Sequence, residues 1–168
     1  WQAVSLEGES DFHALTITGN GLLGYDGTLK STTDYNEWTT IGAAIQPHTL
    51  AGTAGSPVVL ATTEQGIQRS EDNGQTWTKP ADSPVLLLAA FADDTTAAGV
   101  APDGTAYISD DAGKSWQPTG GTVTGTPAAL AAETAANGVA TFWVATSTAV
   151  EYSEDGGATF THRGLGLN

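Results

Sequence analysis

One eight-residue pattern occurs three times in this chain and constrains its fold more than any other feature. The copies are SEDNGQTW (70–77), SDDAGKSW (109–116) and SEDGGATF (153–160), and each reads Ser-acid-Asp-x-Gly-x-Thr/Ser-aromatic. They begin roughly 40 residues apart, a period that fits one four-stranded blade of a β-propeller. The repeat therefore predicts an all-β chain built as a series of blades.

Each residue type in the octet suits a tight turn. Aspartate accepts hydrogen bonds from nearby backbone N–H groups, glycine adopts a positive φ, and the small hydroxyl residues complete the network. The aromatic residue begins the next strand and covers the space between packed sheets. These positions are predicted to be structural: Ser70, Asp72, Gly74, Trp77, Ser109, Asp111, Gly113, Trp116, Ser153, Asp155, Gly157 and Phe160.

The same period predicts a fourth, altered octet from Ser31 to Trp38, in which Asp34 comes one place late and the glycine is missing. Trp1 has the spacing of the last residue of an earlier octet, so the chain is expected to be a processed or truncated piece. The predicted blades span 11–42, 44–80, 84–118 and 127–163, each with four antiparallel strands, and 1–5 is the outer strand of a preceding blade.

Two apolar runs give the predicted inner strands of the last two blades. Residues 85–91 are apolar throughout, as expected of a buried strand. Residues 128–137 are rich enough in alanine to suggest a helix, but the repeat register places them on an inner strand and the following loop.

Composition excludes several classes of partner. The net charge is −14, with five lysines and arginines against 19 acidic residues, so no basic surface can bind nucleic acid. No apolar run is long enough for membrane insertion. The chain has no cysteine and therefore neither disulfide nor thiolate metal site. No metal or cofactor is predicted, and no signal peptide is visible in the sequence.

The octets resemble the Asp-box repeats of the BNR, or sialidase-like, propeller family. The chain is most similar to bacterial exported BNR-repeat and glycosyl-hydrolase-like proteins, including residues 11–15 and 24–27. The resemblance implies a ring of six or seven blades in an extracellular, cell-surface or periplasmic protein. The remaining blades would then come from a separate piece or from a second copy of the chain. Asp-boxes mark a fold rather than an activity.

The resemblance also implies what a sialidase would need, a cluster of three arginines with a tyrosine and acid pair. Only Arg69 and Arg163 are present, and Arg69 is expected on a third strand beside an octet. A general glycosidase needs two facing carboxylates, and 19 acidic residues do not single out a pair. No Gly-x-Ser-x-Gly elbow occurs. No catalytic residue is assigned in this chain.

Two histidines are the candidate ligand-binding residues. His13 and His48 each lie two residues before a leucine on the innermost strand of neighbouring blades. Inner strands line the central channel, so both imidazoles can face one axial site. The equivalent positions in the next blades are Leu87 and Ala128, which add no ligand, and a hydrogen-bonded structural role is the alternative.

These observations favour an exported or cell-surface propeller module that binds a protein or a glycan across its loop face. Two alternatives stay open. One is a glycosyl-hydrolase or sialidase-like enzyme whose catalytic residues lie partly outside this chain, and the other is a structural or assembly module.

Overall fold

The computed structural model describes residues 5–163, which form fifteen β-strands and no helix. The strands make four antiparallel sheets, and within each sheet neighbouring strands are consecutive in the chain. Each sheet is therefore a meander that corresponds to one predicted blade. Within the same residues no helix is long and apolar enough to cross a membrane. The predicted outer strand at 1–5 lies almost wholly outside the described residues.

The sheets follow one another along the sequence as blades 1 to 4. Blade 1 contains β1 (Ala14–Thr18), β2 (Gly21–Tyr25), β3 (Leu29–Thr32) and β4 (Thr39–Ile41). Blade 2 contains β5 (Thr49–Gly52), β6 (Val59–Thr63) and β7 (Gly66–Ser70). Blade 3 contains β8 (Leu88–Phe91), β9 (Ala97–Val100), β10 (Thr105–Ser109) and β11 (Gln117–Thr122). Blade 4 contains β12 (Pro127–Thr134), β13 (Ala140–Thr146), β14 (Val150–Ser153) and β15 (Thr161–Arg163).

Blade 2 departs from the predicted four strands because its outer strand is reduced to a single bridge between Arg69 and Thr78. These two residues exchange both backbone hydrogen bonds, at 2.8 and 2.9 Å. In an antiparallel ladder the next such pair would include Pro80, which has no N–H to donate. In blade 3 the equivalent pair is Ile108 and Gln117, and Pro118 directly follows it. At that position of the ladder no N–H is needed for a hydrogen bond to β10, so β11 continues past the proline.

The inner strand of blade 3 is shorter than predicted. It begins at Leu88, and residues 85–87 are part of the preceding connection, where Val85 is 57% exposed. The alanine-rich run forms β12, a strand as the repeat register predicts. Apolar composition alone therefore located this segment of blade 3 but not the start of its strand.

The hydrophobic core lies between the blades. The inner strands β1, β5, β8 and β12 pack in that order. Leu23 and Leu29 of blade 1 pack against blade 2, and Leu60 of blade 2 packs against blade 3. Phe142 of blade 4 is fully buried against blade 3. Close packing of successive sheets, rather than of one sheet on a helix, stabilises the chain.

The meander places the connections at two opposite ends of each blade. We call one the Asp-box end, because it carries the octet turns and the turns between the first two strands of each blade. The other, the loop end, carries the turns at 26–28, 64–65, 101–104 and 147–149 and the connections 42–48, 79–87 and 123–126 between blades.

Candidate functional site

The octet turn of blade 2 is closed by its own side chains. Ser70 Oγ accepts a hydrogen bond from the Gly74 N–H (2.9 Å) and donates one to Asp72 Oδ1 (2.7 Å). Asp72 also accepts from the N–H (2.8 Å) and the hydroxyl (2.6 Å) of Thr76. The same bonds recur at Ser109, Asp111, Gly113 and Ser115 and at Ser153, Asp155, Gly157 and Thr159. These carboxylates are fully engaged in holding the turn.

The aromatic residue that ends each octet packs between blades. Trp77 packs against the core between blades 1 and 2, and its Nε1 donates to Gly74 O at 2.9 Å. Phe160 packs between blades 3 and 4 and has no polar atom. Trp116 is buried although its Nε1 has no hydrogen-bond partner among residues 5–163. Apolar packing is thus common to all three residues, whereas the hydrogen bond is not.

The altered octet begins at Thr32, one residue later than predicted. Thr32 Oγ1 donates to Asp34 Oδ1, and Asp34 accepts from the backbone N–H groups of Asn36 and Glu37 at 2.9 Å. Tyr35 has a φ of 65°, as Asn73 has a φ of 57° in the octet of blade 2. The spacing between the hydroxyl residue and the aspartate is the same as in the other octets. The altered octet is one residue shorter than the others, and the missing residue lies between Asp34 and Trp38.

The same hydrogen bonds stabilise the ionised octet carboxylates. Hydrogen bonds from Thr159 lower the pKa of Asp155 from 3.8 to about 2. Burial raises the pKa of Asp72 and Asp111, but bonds from Thr76 and Ser115 outweigh this, so both pKa values are lowered. The turns therefore favour the charged form of all three residues.

We expect the chain to lose stability in acid because of these turns. A carboxyl whose folded pKa lies below its unfolded value stabilises the fold above the unfolded pKa, and that contribution is lost as pH falls through the folded pKa. For Asp155 this window runs from pH 3.8 down to about 2. Urea denaturation at a series of pH values should show a smaller decline for Asp155→Asn than for the wild type. The exposed Asp110, changed to Asn, is the matched control, and an unchanged decline in Asp155→Asn would contradict the assignment.

Both candidate histidines lie at the loop end, each directly before an inner strand. The backbone N–H of His13 donates to Tyr25 O (2.8 Å) and that of His48 donates to Thr62 O (2.7 Å), and both side chains are exposed. Leu87 makes the equivalent bond to Val100 O, which places it at the same position of blade 3. Among residues 5–163, no three His, Asp or Glu side chains lie close enough together to hold a metal ion.

His48, but not His13, lines a cavity of about 510 Å³ at the loop end. We call it the loop-end pocket. It lies where the connections into blades 2 and 3 meet the turns of those blades. Its apolar wall consists of Tyr25, Pro47, Val85, Leu86, Leu87 and Pro102. Its polar lining includes Gln46, His48, Thr62, Thr63, Glu64 and Gln65.

Most of these lining residues carry no sequence motif. They belong to connections between strands or between blades, about which the octet gives no information. Residues 85–87 are moreover predicted to be part of a strand. The one usable signal is the dipeptide Ser83-Pro84 directly before Val85, because Ser-Pro favours a turn. Among the residues that line the loop-end pocket, Glu64 is the one acidic residue. At the edge of the pocket, Lys79 Nζ donates a hydrogen bond to Gln65 O.

Arg69 lies on β7, a third strand, where it joins two blades rather than facing solvent. It is 7% exposed, its Nε donates to Ala112 O at 2.7 Å, and its guanidinium pairs with Glu71. Asp93 and Asp94 likewise accept bonds from the Thr134 and Thr53 hydroxyls of the neighbouring blades. These charged groups therefore have structural partners.

Comparison with known families agrees with the turn geometry. The sequence model of the BNR/Asp-box repeat matches residues 68–79 and 107–118, which contain the first two octets. This chain carries BNR/Asp-box repeats. No curated protein matches the sequence significantly.

Solved structures identify the arrangement of the Asp-box blades. YCF48 from Cyanidioschyzon merolae has a TM-score of 0.66 at 16% identity, over 95% of this chain and 58% of that one. The GH74 enzyme of Niastella koreensis has a TM-score of 0.68 at 19% identity, over 89% of this chain and 24% of that one. YCF48 bound to a D1 peptide has a TM-score of 0.66 at 16% identity, over 93% and 55%. The fold is that of a β-propeller, and the Asp-box chain spans less than two thirds of each of these proteins.

Proposed function

We propose that the Asp-box chain is part of a ligand-binding propeller whose ligand, a segment of another protein, binds in the loop-end pocket. The observation that carries this proposal is a cavity of about 510 Å³ in which six apolar or aromatic residues lie beside six polar ones. Ligand sites in proteins have volumes in this range and combine apolar surface with polar groups that orient the ligand. The octets, whose polar groups bond to one another, offer no comparable surface.

The wall favours a peptide over a glycan. Val85 and Leu87 expose apolar surface with no hydrogen-bonding group for the hydroxyl groups of a sugar, whereas an apolar side chain gains about 25 cal/mol for each Å² of apolar surface buried there. The amides of Gln46 and Gln65 can both donate and accept, which suits a peptide backbone.

Charge narrows the ligand further. The chain has a net charge of −14, and Glu64 is the acidic residue in the pocket lining. Long-range attraction therefore favours a neutral or basic segment and weakens as salt is added. We expect apolar side chains next to lysine or arginine in the ligand.

The relatives support a binding role without assigning a ligand to this chain. YCF48 has been solved with a D1 peptide, so a propeller with the same fold holds a peptide. GH74 enzymes share the fold too, and the enzyme alternative stays open for residues outside this chain. In the described part of the chain, the octet aspartates and Asp93 and Asp94 are engaged in structural bonds.

We further propose that the protein is exported and that other blades complete the ring around this site. The resemblance to exported Asp-box proteins supports both proposals. Neither proposal changes which residues line the loop-end pocket. Fractionation of the source cells, with detection by an antibody against this chain, tests the location.

Val85→Asp is expected to weaken peptide binding at least about tenfold, because it puts a charge into a desolvated apolar contact. Ligands would be selected from a displayed library of linear random peptides, and their affinities measured by calorimetry. Val139→Asp is the matched control, since Val139 is also an exposed valine but lies at the Asp-box end of blade 4. Equal losses in the two variants would contradict the proposed site. Turnover of sialosides or aryl glycosides would instead support the enzyme alternative.

A further inference from the structure

A second cavity adjoins the loop-end pocket. It has a volume of about 390 Å³ and lies between the turn at 26–28 of blade 1 and the connection 42–48 that leads into blade 2. Tyr25 and Gln46 line both cavities, so the two spaces adjoin at these side chains. The remaining lining of the second cavity comes from 27–29 and 40–45. We call this cavity the blade 1 subsite.

The wall of the blade 1 subsite offers backbone groups rather than large side chains. Gly42, Ala43 and Ala44 line it directly after β4, and Gly42 and Ala44 are exposed. Among residues 5–163, no hydrogen bond uses the backbone N–H group of any of these three residues, whereas the next N–H, that of Ile45, donates to Ala43 O at 3.0 Å. A Cβ on Gly42 would meet no atom within 4 Å. The segment therefore borders open space and has unpaired N–H groups.

The two cavities differ in charge. Glu64 lines the loop-end pocket, whereas none of the described residues that line the blade 1 subsite is charged. Asp26 lies in the adjoining turn, but its carboxylate pairs with Lys30 at 2.6 Å and accepts a hydrogen bond from Ser10. A basic side chain of a ligand is therefore attracted to the loop-end pocket, and its desolvation in the blade 1 subsite would be unfavourable. The blade 1 subsite suits an uncharged part of the ligand.

We propose that the blade 1 subsite binds the continuation of the peptide that occupies the loop-end pocket, so that one extended segment spans both cavities. This inference rests on the proposed function. Each residue of an extended peptide carries a backbone carbonyl group, and the unpaired N–H groups at 42–44 can donate to such oxygens. The ligand is then a linear segment with apolar and basic side chains at one end and uncharged residues at the other.

Ala44→Trp tests the blade 1 subsite, because an indole ring at this exposed lining position occupies part of the cavity. The probes are peptides selected on the wild-type chain from a displayed library of linear random peptides, with affinities measured by calorimetry. Ala44→Trp should weaken binding about tenfold, the loss expected when one or two backbone hydrogen bonds are blocked. Ala81→Trp is the matched control and should bind as the wild type does, since Ala81 is an exposed alanine of another loop-end connection and lines neither cavity.

Shortening the peptide gives a second measurement that leaves the protein unchanged. Removal of the uncharged end should weaken binding to the wild type about tenfold and should cause no further loss in Ala44→Trp, because both changes remove the same contacts. Equal losses in Ala44→Trp and Ala81→Trp would overturn the inference. If Val85→Asp weakened binding while Ala44→Trp did not, the peptide would occupy the loop-end pocket alone. If neither variant weakened binding, the proposed function would fail as well.

Discussion

Phe142→Ala is expected to lower the free energy of unfolding by about 3–5 kcal/mol, the range for removing a buried aromatic ring. Phe142 is fully buried between blades 3 and 4, where it packs with Ala98 and Ala140. A Cβ on Gly157 would lie 2.5 Å from its Cε2, so the octet turn of blade 4 rests directly on the ring. Removing the ring leaves a cavity under that turn. Urea denaturation followed by circular dichroism measures the loss.

Phe91→Ala is the control for this prediction. Phe91 is partly exposed and packs at the margin of the core between blades 2 and 3. Its truncation removes the same atoms but less buried surface, so the loss should be clearly smaller. Equal losses in the two variants would mean that the space between blades 3 and 4 is not the main core of that half of the chain.

Gly113→Ala is expected to lower the free energy of unfolding by about 2–5 kcal/mol, from two separate causes. Its φ is +80°, and the left-handed region costs a residue with a Cβ roughly 1–2 kcal/mol. The added Cβ would also lie 2.4 Å from Leu60 Cδ2, and Leu60 is fully buried in blade 2. Overpacking of this kind adds about 1–3 kcal/mol. The free energy of unfolding of the variant measures the sum.

Gly120→Ala separates the two causes. Gly120 has a φ of +91°, but a Cβ there would meet no atom within 4 Å. Its substitution should therefore cost only the backbone contribution. If Gly113→Ala were no worse than Gly120→Ala, the octet glycine would be required for its backbone conformation alone and not for the contact between blades.

The position and the hydrogen bonds of the octet turns can be predicted from the sequence alone. The Ser-x-Asp-x-Gly spacing determines a local set of hydrogen bonds, and local bonds depend on residues that are adjacent in the chain. The turns at 70, 109 and 153 were therefore predictable in position and chemistry. The altered copy was misplaced by one residue because the alignment relied on Ser31 and Trp38, whereas the turn depends on the spacing from Thr32 to Asp34.

The loop-end pocket could not be predicted in the same way. Its lining comes from blades 1 to 3, and Pro47, Val85 and Pro102 meet only because the blades stack. His48 was singled out because its strand position repeats in His13, yet only His48 lines the cavity. Residues 85–87 were assigned to a strand because an apolar run does not reveal where pairing begins. The pocket lining, the place of His48 in it and the start of β8 all depend on contacts between blades.

We propose that the octets build the fold and that the ligand binds at the opposite end of the blades. An NMR chemical-shift map of the isotope-labelled chain, titrated with a peptide selected against it, tests this most directly. We predict shifts at Gln46 and His48, at Glu64 and Gln65 and at Val85 to Leu87, with the octet turns unchanged. Shifts concentrated at 70–77, 109–116 and 153–160, with the loop end unchanged, would contradict the claim.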